Sequence, residues 1–376
     1  MRKPCRSPGL FRRRAAWSAL LIAPLCAAAC SESDDLVSPG QSIQAAIDRI
    51  PAGAERWRID VKPGVYNEKL SVDRNGVTLH GQVSGDGIDG RPLLDGTMSG
   101  GKLHKDAVIV SGSQFTIEGF ALRNYSGNGV TSTKARDIVM RDLNVDNTGL
   151  YGVYPVESEN ILIEKCVATR IKDAGIYVGQ SKNAVVRDNR VYGNVAGIEI
   201  ENTVTALVEN NDVHDNTAGI LAFVLPNNPS KVGTGCTIRN NKTYNNNTPN
   251  FGEPTAIVSK LPYGIGVFIM AADGTVVENN EIRGNASVGA AIISVSQIIG
   301  DPAMIDVEPN SDNTVFRDNT YKDNGKSPDK RYLDFQMGLT GGDFIWDGTG
   351  KGNCMSEPQE NDLRKEALGA AVPRCK

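Results

Sequence analysis

Apolar and polar residues alternate along most of this chain in short runs separated by turn residues. Examples are the strings IYV after Gly175 and IEIE after Gly197, with Asn, Asp and Gly filling the intervals. Alternation with a period of two is typical of β-strands, and these turn residues end strands. The pattern therefore predicts an all-β protein of short strands.

The runs recur at a fixed interval. A glycine followed by a small aliphatic residue recurs at spacings of 23, 23, 22, 22, 47 and 23 residues. These anchors are Gly129, Gly152, Gly175, Gly197, Gly219, Gly266 and Gly289. A second apolar position repeats in step with them, at Ile117, Met140, Ile163, Val186, Val208, Ile238, Val277 and Phe316.

This period selects one repeat architecture. The leucine-rich consensus is absent, and a hexapeptide left-handed helix would repeat near about 18 residues. We therefore predict a single-stranded right-handed parallel β-helix over residues 42–325, with rungs of about 22 to 23 residues. An amphipathic helix at residues 42–50, with Ser42 as its N-cap, is expected to cover the first rung. The repeats end after Asn324, and residues 326–376 are expected to form a C-terminal cap.

Two columns of asparagine accompany the later rungs. Asn tolerates the left-handed backbone of turns, and stacked amides can hydrogen-bond along the axis. The first column replaces earlier apolar residues that include Cys166, which we therefore interpret as a core residue. The columns are Asn189, Asn211, Asn241, Asn280 and Asn319, and Asn194, Asn216, Asn246, Asn285 and Asn324.

A charged strip lies one residue beyond the second apolar anchor and alternates in sign at every rung. It runs through Glu118, Arg141, Glu164, Arg187, Glu209, Arg239, Glu278 and Arg317, with His80 at its head. Each charge is expected to lie between two opposite charges on adjacent strands. Because this pairing satisfies every charge, we interpret the strip as structural.

The outward positions of the glycine-anchored strands differ from that strip. Aromatic and acidic residues lie together there: Tyr154, Tyr177, Glu199, Glu201 and Phe268. Rings that stack on sugars and acids that hydrogen-bond hydroxyl groups suit a saccharide groove, which the neighbouring Lys172 and Asp173 would enlarge. The open alternative is that insertions at residues 225–235, 249–262 and 298–313 cover these rings.

Candidates for proton transfer come from the same face and from one histidine elsewhere. They are Glu199, Glu201, Lys172, Asp173 and His214. A His-Asp pair can serve acid–base chemistry. However, the string VHDN at Val213 is one more copy of the turn VYGN at Val191, so the repeat alone explains most of it.

The N-terminus predicts export. Six Lys and Arg residues and no acid precede an apolar run that ends in three alanines and Cys30, so residues 1–29 are interpreted as a signal peptide. The junction resembles a bacterial lipobox, which predicts lipidation of Cys30, a tether at residues 30–41 and an outer-membrane lipoprotein. Ordinary cleavage near Ala29 is the alternative. Removing six of the 40 basic residues leaves 34 against 44 acidic residues, a charge of about −10, which disfavours nucleic acid.

Cys354 and Cys375 are the plausible disulfide pair for an exported chain, although two free thiols are also compatible with the sequence. No Cys/His spacing typical of a metal site is present.

The rungs from Phe115 to Asn324 resemble the right-handed β-helix repeats of pectate lyases, polyuronate epimerases and periplasmic carbohydrate-binding proteins. Stretches such as NTGLYGVYPVE, DAGIYVGQS and GNVAGIEIEN resemble a family of exported, lipoprotein-type β-helix proteins. The resemblance implies the fold and no catalytic residues. The strings SIQAAI and KPGVYNEK are similar to the start of pectin methylesterases, whose active-site strings are missing here.

Two classes of function follow from the sequence. The first is a cell-envelope lipoprotein that associates with polysaccharide or a partner envelope protein without catalysis, and that reaches the membrane through its N-terminal lipid. The second is a polysaccharide lyase or polyuronate C5-epimerase acting on an acidic glycan. A lyase of this kind would be expected to use Ca²⁺.

Overall fold

The structure is a computed structural model that describes residues 34–85, 90–333, 341–356 and 373–376. The predicted signal peptide, Cys30 and the first part of the predicted tether lie outside the described residues.

Three long parallel sheets, here named A, B and C, form the described chain, and each rung contributes one strand to each sheet in turn. Sheet A consists of β1 (Asp35–Val37), β2 (Trp57–Val61), β5 (Val77–Gly81), β8 (Phe115–Glu118), β11 (Arg136–Arg141), β14 (Glu159–Glu164), β17 (Lys182–Arg187), β20 (Val204–Glu209), β23 (Thr234–Arg239), β26 (Val276–Glu278), β29 (Val315–Arg317) and β32 (Cys354–Met355).

Sheet B consists of β3 (Gly64–Tyr66), β6 (Pro92–Asp95), β9 (Ala121–Tyr125), β12 (Asn144–Thr148), β15 (Val167–Thr169), β18 (Arg190–Tyr192), β21 (Asp212–His214), β24 (Lys242–Tyr244), β27 (Glu281–Arg283) and β30 (Thr320–Lys322). Sheet C consists of β4 (Leu70–Val72), β7 (Val108–Val110), β10 (Val130–Thr133), β13 (Val153–Val156), β16 (Ala174–Gly179), β19 (Ala196–Glu201), β22 (Ala218–Phe223), β25 (Ile265–Met270), β28 (Val288–Ile293) and β31 (Gly342–Trp346). This arrangement is the right-handed parallel β-helix that the repeat predicts.

The core lies between the three sheets and is filled by the inward half of each alternating run. The second apolar anchors lie next to one another across adjacent strands of sheet A, as in Ile117 beside Met140 and Met140 beside Ile163. All three side chains are fully buried. Burial of such side chains supplies the main stabilisation of a repeat that contacts only its neighbours.

The turn from sheet A to sheet B uses one residue with left-handed backbone at each rung. Asp188, Asn210 and Asn240 have φ values of 56°, 57° and 55°. Asn and Asp tolerate this conformation better than most residues, which explains their recurrence after the charged strip.

Both predicted asparagine ladders are confirmed. In the first, Nδ2 of Asn189 donates to Oδ1 of Asn211 at 2.9 Å, and the same oxygen accepts the backbone N–H of Asn189 at 3.0 Å. In the second, Asn194 and Asn216 repeat both bonds at 3.0 Å. Each ladder therefore satisfies buried amide and backbone groups at the turns without water.

The sign-alternating strip is also confirmed. Glu118, Arg141, Glu164 and Arg187 occupy successive strands of sheet A in register. Arg141 contacts both glutamates beside it, and His80 Nδ1 lies 2.9 Å from Glu118 Oε1 at the head of the strip.

At the N-terminal end, a six-residue helix, α1 (Ile43–Asp48), contacts the first strands. Oγ of Ser42 accepts the Ala45 N–H, and the helix buries Ile43 and Ile47. Part of the segment interpreted as a tether is a strand instead, because β1 pairs with β2.

The rungs also continue beyond residue 325, where the sequence repeat was expected to end. A short second helix, α2 (Lys330–Leu333), precedes two further strands. The string DFIW lies in β31, which pairs with β28, and β32 pairs with β29. These strands lack the preceding spacing, so the repeat pattern did not reveal them. Cys354 and Cys375 form a disulfide that joins β32 to the C-terminal residues.

Among the described residues, no helix has both the length and the apolar character needed to cross a lipid bilayer.

Candidate functional site

The three insertions lie over the outward face of sheet C and bury most of it. Tyr177 is 4% exposed and Phe268 is 9% exposed. They belong to an apolar cluster with residues of the insertions, including Leu225, Leu261 and Ile305. The structure therefore does not offer Tyr177 and Phe268 as open platforms for a sugar ring, because the insertions already occupy that space.

Three carboxylates lie within this covered region, and we call Asp173, Glu199 and Glu201 the acidic cluster. Glu199 and Glu201 alternate with Ile198 and Ile200 along β19, so both acids point away from the core. Asp173 precedes β16 on the neighbouring rung. Their exposed fractions are 8%, 5% and 8%.

A glycine allows the tyrosine of one rung to reach the acid of the next. Tyr177 lies beside Glu199 in the register, and Gly179 lies beside Glu201. A Cβ atom at Gly179 would lie 2.2 Å from the Tyr177 ring and 2.3 Å from its hydroxyl. The ring thus folds over Gly179, and its hydroxyl donates to Oε2 of Glu201 at 2.8 Å.

Side chains from outside β19 complete the hydrogen bonding of Glu201. Nδ2 of Asn228, in the first insertion, donates to Oε1 of Glu201 at 2.6 Å. Nε2 of Gln180 donates to the Tyr177 hydroxyl at 3.1 Å. An ion pair between Lys172 Nζ and Glu253 Oε1, at 2.7 Å, joins the second insertion to the turn that precedes β16.

A group of three tyrosines borders the acidic cluster. The ring centroid of Tyr151 lies 4.4 Å from that of Tyr154 and 4.6 Å from that of Tyr177. The centroids of Tyr154 and Tyr177 are 5.0 Å apart. Tyr154 and Tyr151 remain half-buried, so they form the margin at which the site meets solvent.

The electrostatics of the cluster favour bound protons. Burial, followed by the charges of Asp173 and Glu201, holds the pKa of Glu199 well above its usual value. Burial and the charge of Glu201 raise the pKa of Asp173 to about 7, against an opposing hydrogen bond from Tyr151. Burial also raises the pKa of Glu201, although its bonds from Tyr177 and Asn228 act in the other direction. The site can therefore hold a protonated acid beside a group that ionises near neutral pH.

Glu199 differs from the other two acids in its contacts. Among the described residues, no donor forms a hydrogen bond to its carboxyl group, whereas Glu201 accepts two. A buried carboxyl group without a donor is costly to ionise, which agrees with its raised pKa.

His214 is not part of this site. It lies on sheet B, where its ring stacks between Tyr192 and Tyr244 with centroid distances of 5.2 and 4.9 Å. Its Nδ1 lies 2.8 Å from Asp215 Oδ2. The structure thus brings Asp173, Glu199 and Glu201 together with Tyr154 and Tyr177, and places Lys172 at the edge and His214 in a separate column.

Two contributors to the site were not found from the sequence. Tyr151 comes directly before the Gly152 anchor. The sequence candidates were chosen from the outward positions that follow each glycine anchor, so Tyr151 was not among them. Its signal was the pair of tyrosines three residues apart in the string LYGVY. Asn228 lies in an insertion outside the repeat, so periodicity could not place it.

The described residues do not fit the Ca²⁺ expected of a lyase. They include no group of three or more His, Cys, Asp or Glu side chains arranged to hold a metal ion.

Comparisons with known proteins agree with the architecture. Residues 97–230 match the family model described as the right-handed beta helix region. A mutant DFA-IIIase from Arthrobacter chlorophenolicus in complex with DFA-III has a TM-score of 0.58 and 12% identity, covering 89% of this chain and 91% of that one. No curated protein sequence matches this chain.

Two alginate-related structures are also similar. The A-module of the mannuronan C-5 epimerase AlgE4 from Azotobacter vinelandii has a TM-score of 0.51 and 16% identity, covering 85% of this chain and 94% of that one. An alginate lyase from a Paenibacillus species has a TM-score of 0.50 and 14% identity, covering 84% and 99%. At these identities the likeness concerns the fold. The repeat, the three parallel sheets and these matches together show that the described chain has the right-handed parallel β-helix fold.

Proposed function

We propose that this protein binds a saccharide at the acidic cluster and cleaves a glycosidic bond there by acid–base chemistry. The observation that carries the proposal is the placement of Glu199 beside Asp173 and Glu201 in a desolvated site, where the acids perturb one another. Carboxyl groups with strongly shifted pKa values under loops of a rigid scaffold are typical of functional sites.

The residues divide into two roles. Burial and the neighbouring acids favour the protonated form of Glu199, which can donate its proton to the leaving oxygen of a glycosidic bond. Glu201 accepts hydrogen bonds from Tyr177 and Asn228, which favour its charged form and fix its position. It can then act on the anomeric carbon directly or through water, as the second carboxylate of a glycosidase does.

The similar structures support a saccharide as the ligand class. The names of those proteins refer to mannuronan, alginate and DFA-III. This support is indirect, since it rests on a shared fold.

The geometry supports lyase or epimerase chemistry on a uronate less well than it supports cleavage of a glycosidic bond. A uronate would bring a fourth carboxylate to three that already lie together. Lys172, which directly precedes Asp173 in the chain, is paired with Glu253. Both reactions require stabilisation of the uronate carboxylate, which this arrangement does not supply.

Non-catalytic association with a glycan is the second candidate, and one observation favours it. The insertions cover Tyr177 and Phe268, so the described surface presents mainly the margin formed by Tyr151 and Tyr154. A protein that only binds would use that margin and would not need a protonated Glu199.

A product screen separates the two candidates. Purified protein is incubated with neutral, amino-sugar and uronate oligosaccharides, and products are identified by mass spectrometry. We expect new reducing ends with a substrate, and we expect Glu199→Gln to reduce kcat by about 10²-fold or more while binding is retained. Glu164→Gln, in the charged strip, is the matched control and should retain kcat. Binding without any product would favour the non-catalytic candidate.

We further propose that the chain is exported and anchored through Cys30 as an outer-membrane lipoprotein. The disulfide between Cys354 and Cys375 supports an oxidising compartment. Cys30→Ala should shift the protein from the membrane fraction to the soluble fraction, or leave it unprocessed. Unchanged membrane association of this variant, together with absence of a lipid label on the wild type, would contradict the anchor.

A further inference from the structure

Negative charge at the acidic cluster has no cationic partner within the described part of the chain. No described Lys, Arg or His side chain forms an ion pair with Asp173, Glu199 or Glu201, and three lysines near this face pair with other acids: Lys172 with Glu253 at 2.7 Å, Lys134 with Glu157 at 3.7 Å, and Lys231 with Asp306 at 2.5 Å. The charges that act most strongly on Asp173 and Glu199 are those of the other acids of the cluster. Ionisation of the cluster therefore leaves a negative charge that the protein does not neutralise.

The carboxyl group of Glu199 lacks a hydrogen-bond donor within the described chain. Glu199 is 5% exposed, and no described residue donates a hydrogen bond to its carboxyl group. The group that would satisfy this site is a donor with positive charge. An ammonium group presents three N–H donors and no acceptor, so it can bind several carboxylates at once.

The tyrosines at the margin fit the same ligand chemistry. Tyr151 and Tyr154 are half-buried with ring centroids 4.4 Å apart, beside the acids. Aromatic rings attract cations through their negative faces, and they also pack against the carbon skeleton of a sugar. Acids and rings together thus favour a sugar that carries an amine over a sugar that carries a carboxylate.

We propose that the saccharide recognised at the acidic cluster contains amino sugars with free ammonium groups, and that the cluster discriminates against uronates. This inference rests on the proposed function, because it assumes that a saccharide binds there. Asp173 and Glu201 contact the ammonium group, and an N-acetylated sugar loses that ion pair.

Calorimetry with three oligosaccharides of equal length tests the inference. The probes are a glucosamine tetramer, an N-acetylglucosamine tetramer and a tetramer of uronate residues, all at pH 7 with EDTA present to exclude metal bridging. We expect the glucosamine tetramer to bind at least about tenfold more tightly than the N-acetylated tetramer, and the uronate to bind most weakly.

Variants connect this preference to the cluster. Asp173→Asn should reduce the preference for the glucosamine tetramer several-fold, whereas Glu164→Gln, in the charged strip, should leave it unchanged. Since Asn is close in shape to Asp, thermal unfolding of both variants serves as a check that they fold.

The outcomes separate this inference from the proposed function. Tighter binding of the uronate or of the N-acetylated tetramer, or an unchanged preference in Asp173→Asn, would overturn the inference and leave a saccharide function in place. Failure of all three tetramers to bind, combined with a product screen that finds no substrate, would overturn both.

Discussion

Glu164 on sheet A and Glu199 on sheet C have the same small exposed fraction, yet their pKa values shift in opposite directions. Each is 5% exposed. Burial raises the pKa of Glu164, but hydrogen bonds from Arg187 and Arg141 outweigh it and lower the pKa below its usual value. Burial and two neighbouring acids hold the pKa of Glu199 well above its usual value.

The difference shows that a small exposed fraction alone does not determine the direction in which the pKa of a carboxyl group shifts in this fold. Along the charged strip, each rung places an opposite charge beside the last, so burial is compensated and the strip fixes register. At the acidic cluster, successive rungs place acids together under the insertions. The same repeat thus supports a ladder of paired charges on one face and a cluster of acids with raised pKa values on another.

The largest expected effect is a pH dependence of stability that originates at Asp173. Its pKa is raised from 3.8 to about 7 in the folded protein, so the folded state retains a proton that the unfolded chain has lost. The stability that this proton contributes is full below about pH 4 and is lost as the pH rises through 7.

Asp173→Asn removes this loss. In urea unfolding between pH 4 and pH 8, we expect the free energy of unfolding of the variant to increase relative to that of the wild type as the pH rises. The increase should reach on the order of 3 kcal/mol at pH 8. A constant difference across this range would show that Asp173 ionises normally.

The next effect is a contrast between two identical substitutions. Glu164→Gln removes a charge held between Arg141 and Arg187, and we expect it to lower the free energy of unfolding at pH 7 by about 2 kcal/mol. Because the raised pKa of Glu199 favours its neutral form, Glu199→Gln exchanges it for a neutral amide of similar shape, and its effect at pH 7 should stay within about 0.5 kcal/mol. Equal destabilisation by both substitutions would remove the contrast.

The smallest expected effect lies at the end of the strip. Arg317 pairs with Glu278, and its side chain is about half exposed. Exposed pairs contribute little, so Arg317→Gln should cost no more than about 0.5 kcal/mol, and the cost should shrink further at high salt. A cost as large as that of Glu164→Gln would mean that solvent does not weaken this pair.

Features that follow the rung period could be predicted from the sequence. The residues of the charged strip and of both asparagine ladders each recur at one position per rung. Their spacing alone therefore predicted which of them lie side by side on adjacent rungs. The proximity of Glu199 and Glu201 to Tyr177 followed from the same register.

Features that arise outside the period could not be predicted in this way. Whether the insertions cover sheet C depends on tertiary packing, and the sequence left this question open. Asn228 reaches Glu201 from such an insertion, and β31 and β32 extend the sheets after an irregular interval. The pKa differences also depend on which charges face each acid, and not on residue type.

Direct titration of Glu164 and Glu199 in one sample tests the contrast between the two faces. Carbon-13 NMR of labelled glutamate carboxyl groups, assigned with Glu164→Gln and Glu199→Gln, follows both residues from pH 3 to pH 9. We expect Glu164 to titrate below the usual range for glutamate and Glu199 to remain protonated at pH 7. Titration of both residues near the ordinary value of about 4.3 would contradict the assignment of acid–base chemistry to the acidic cluster.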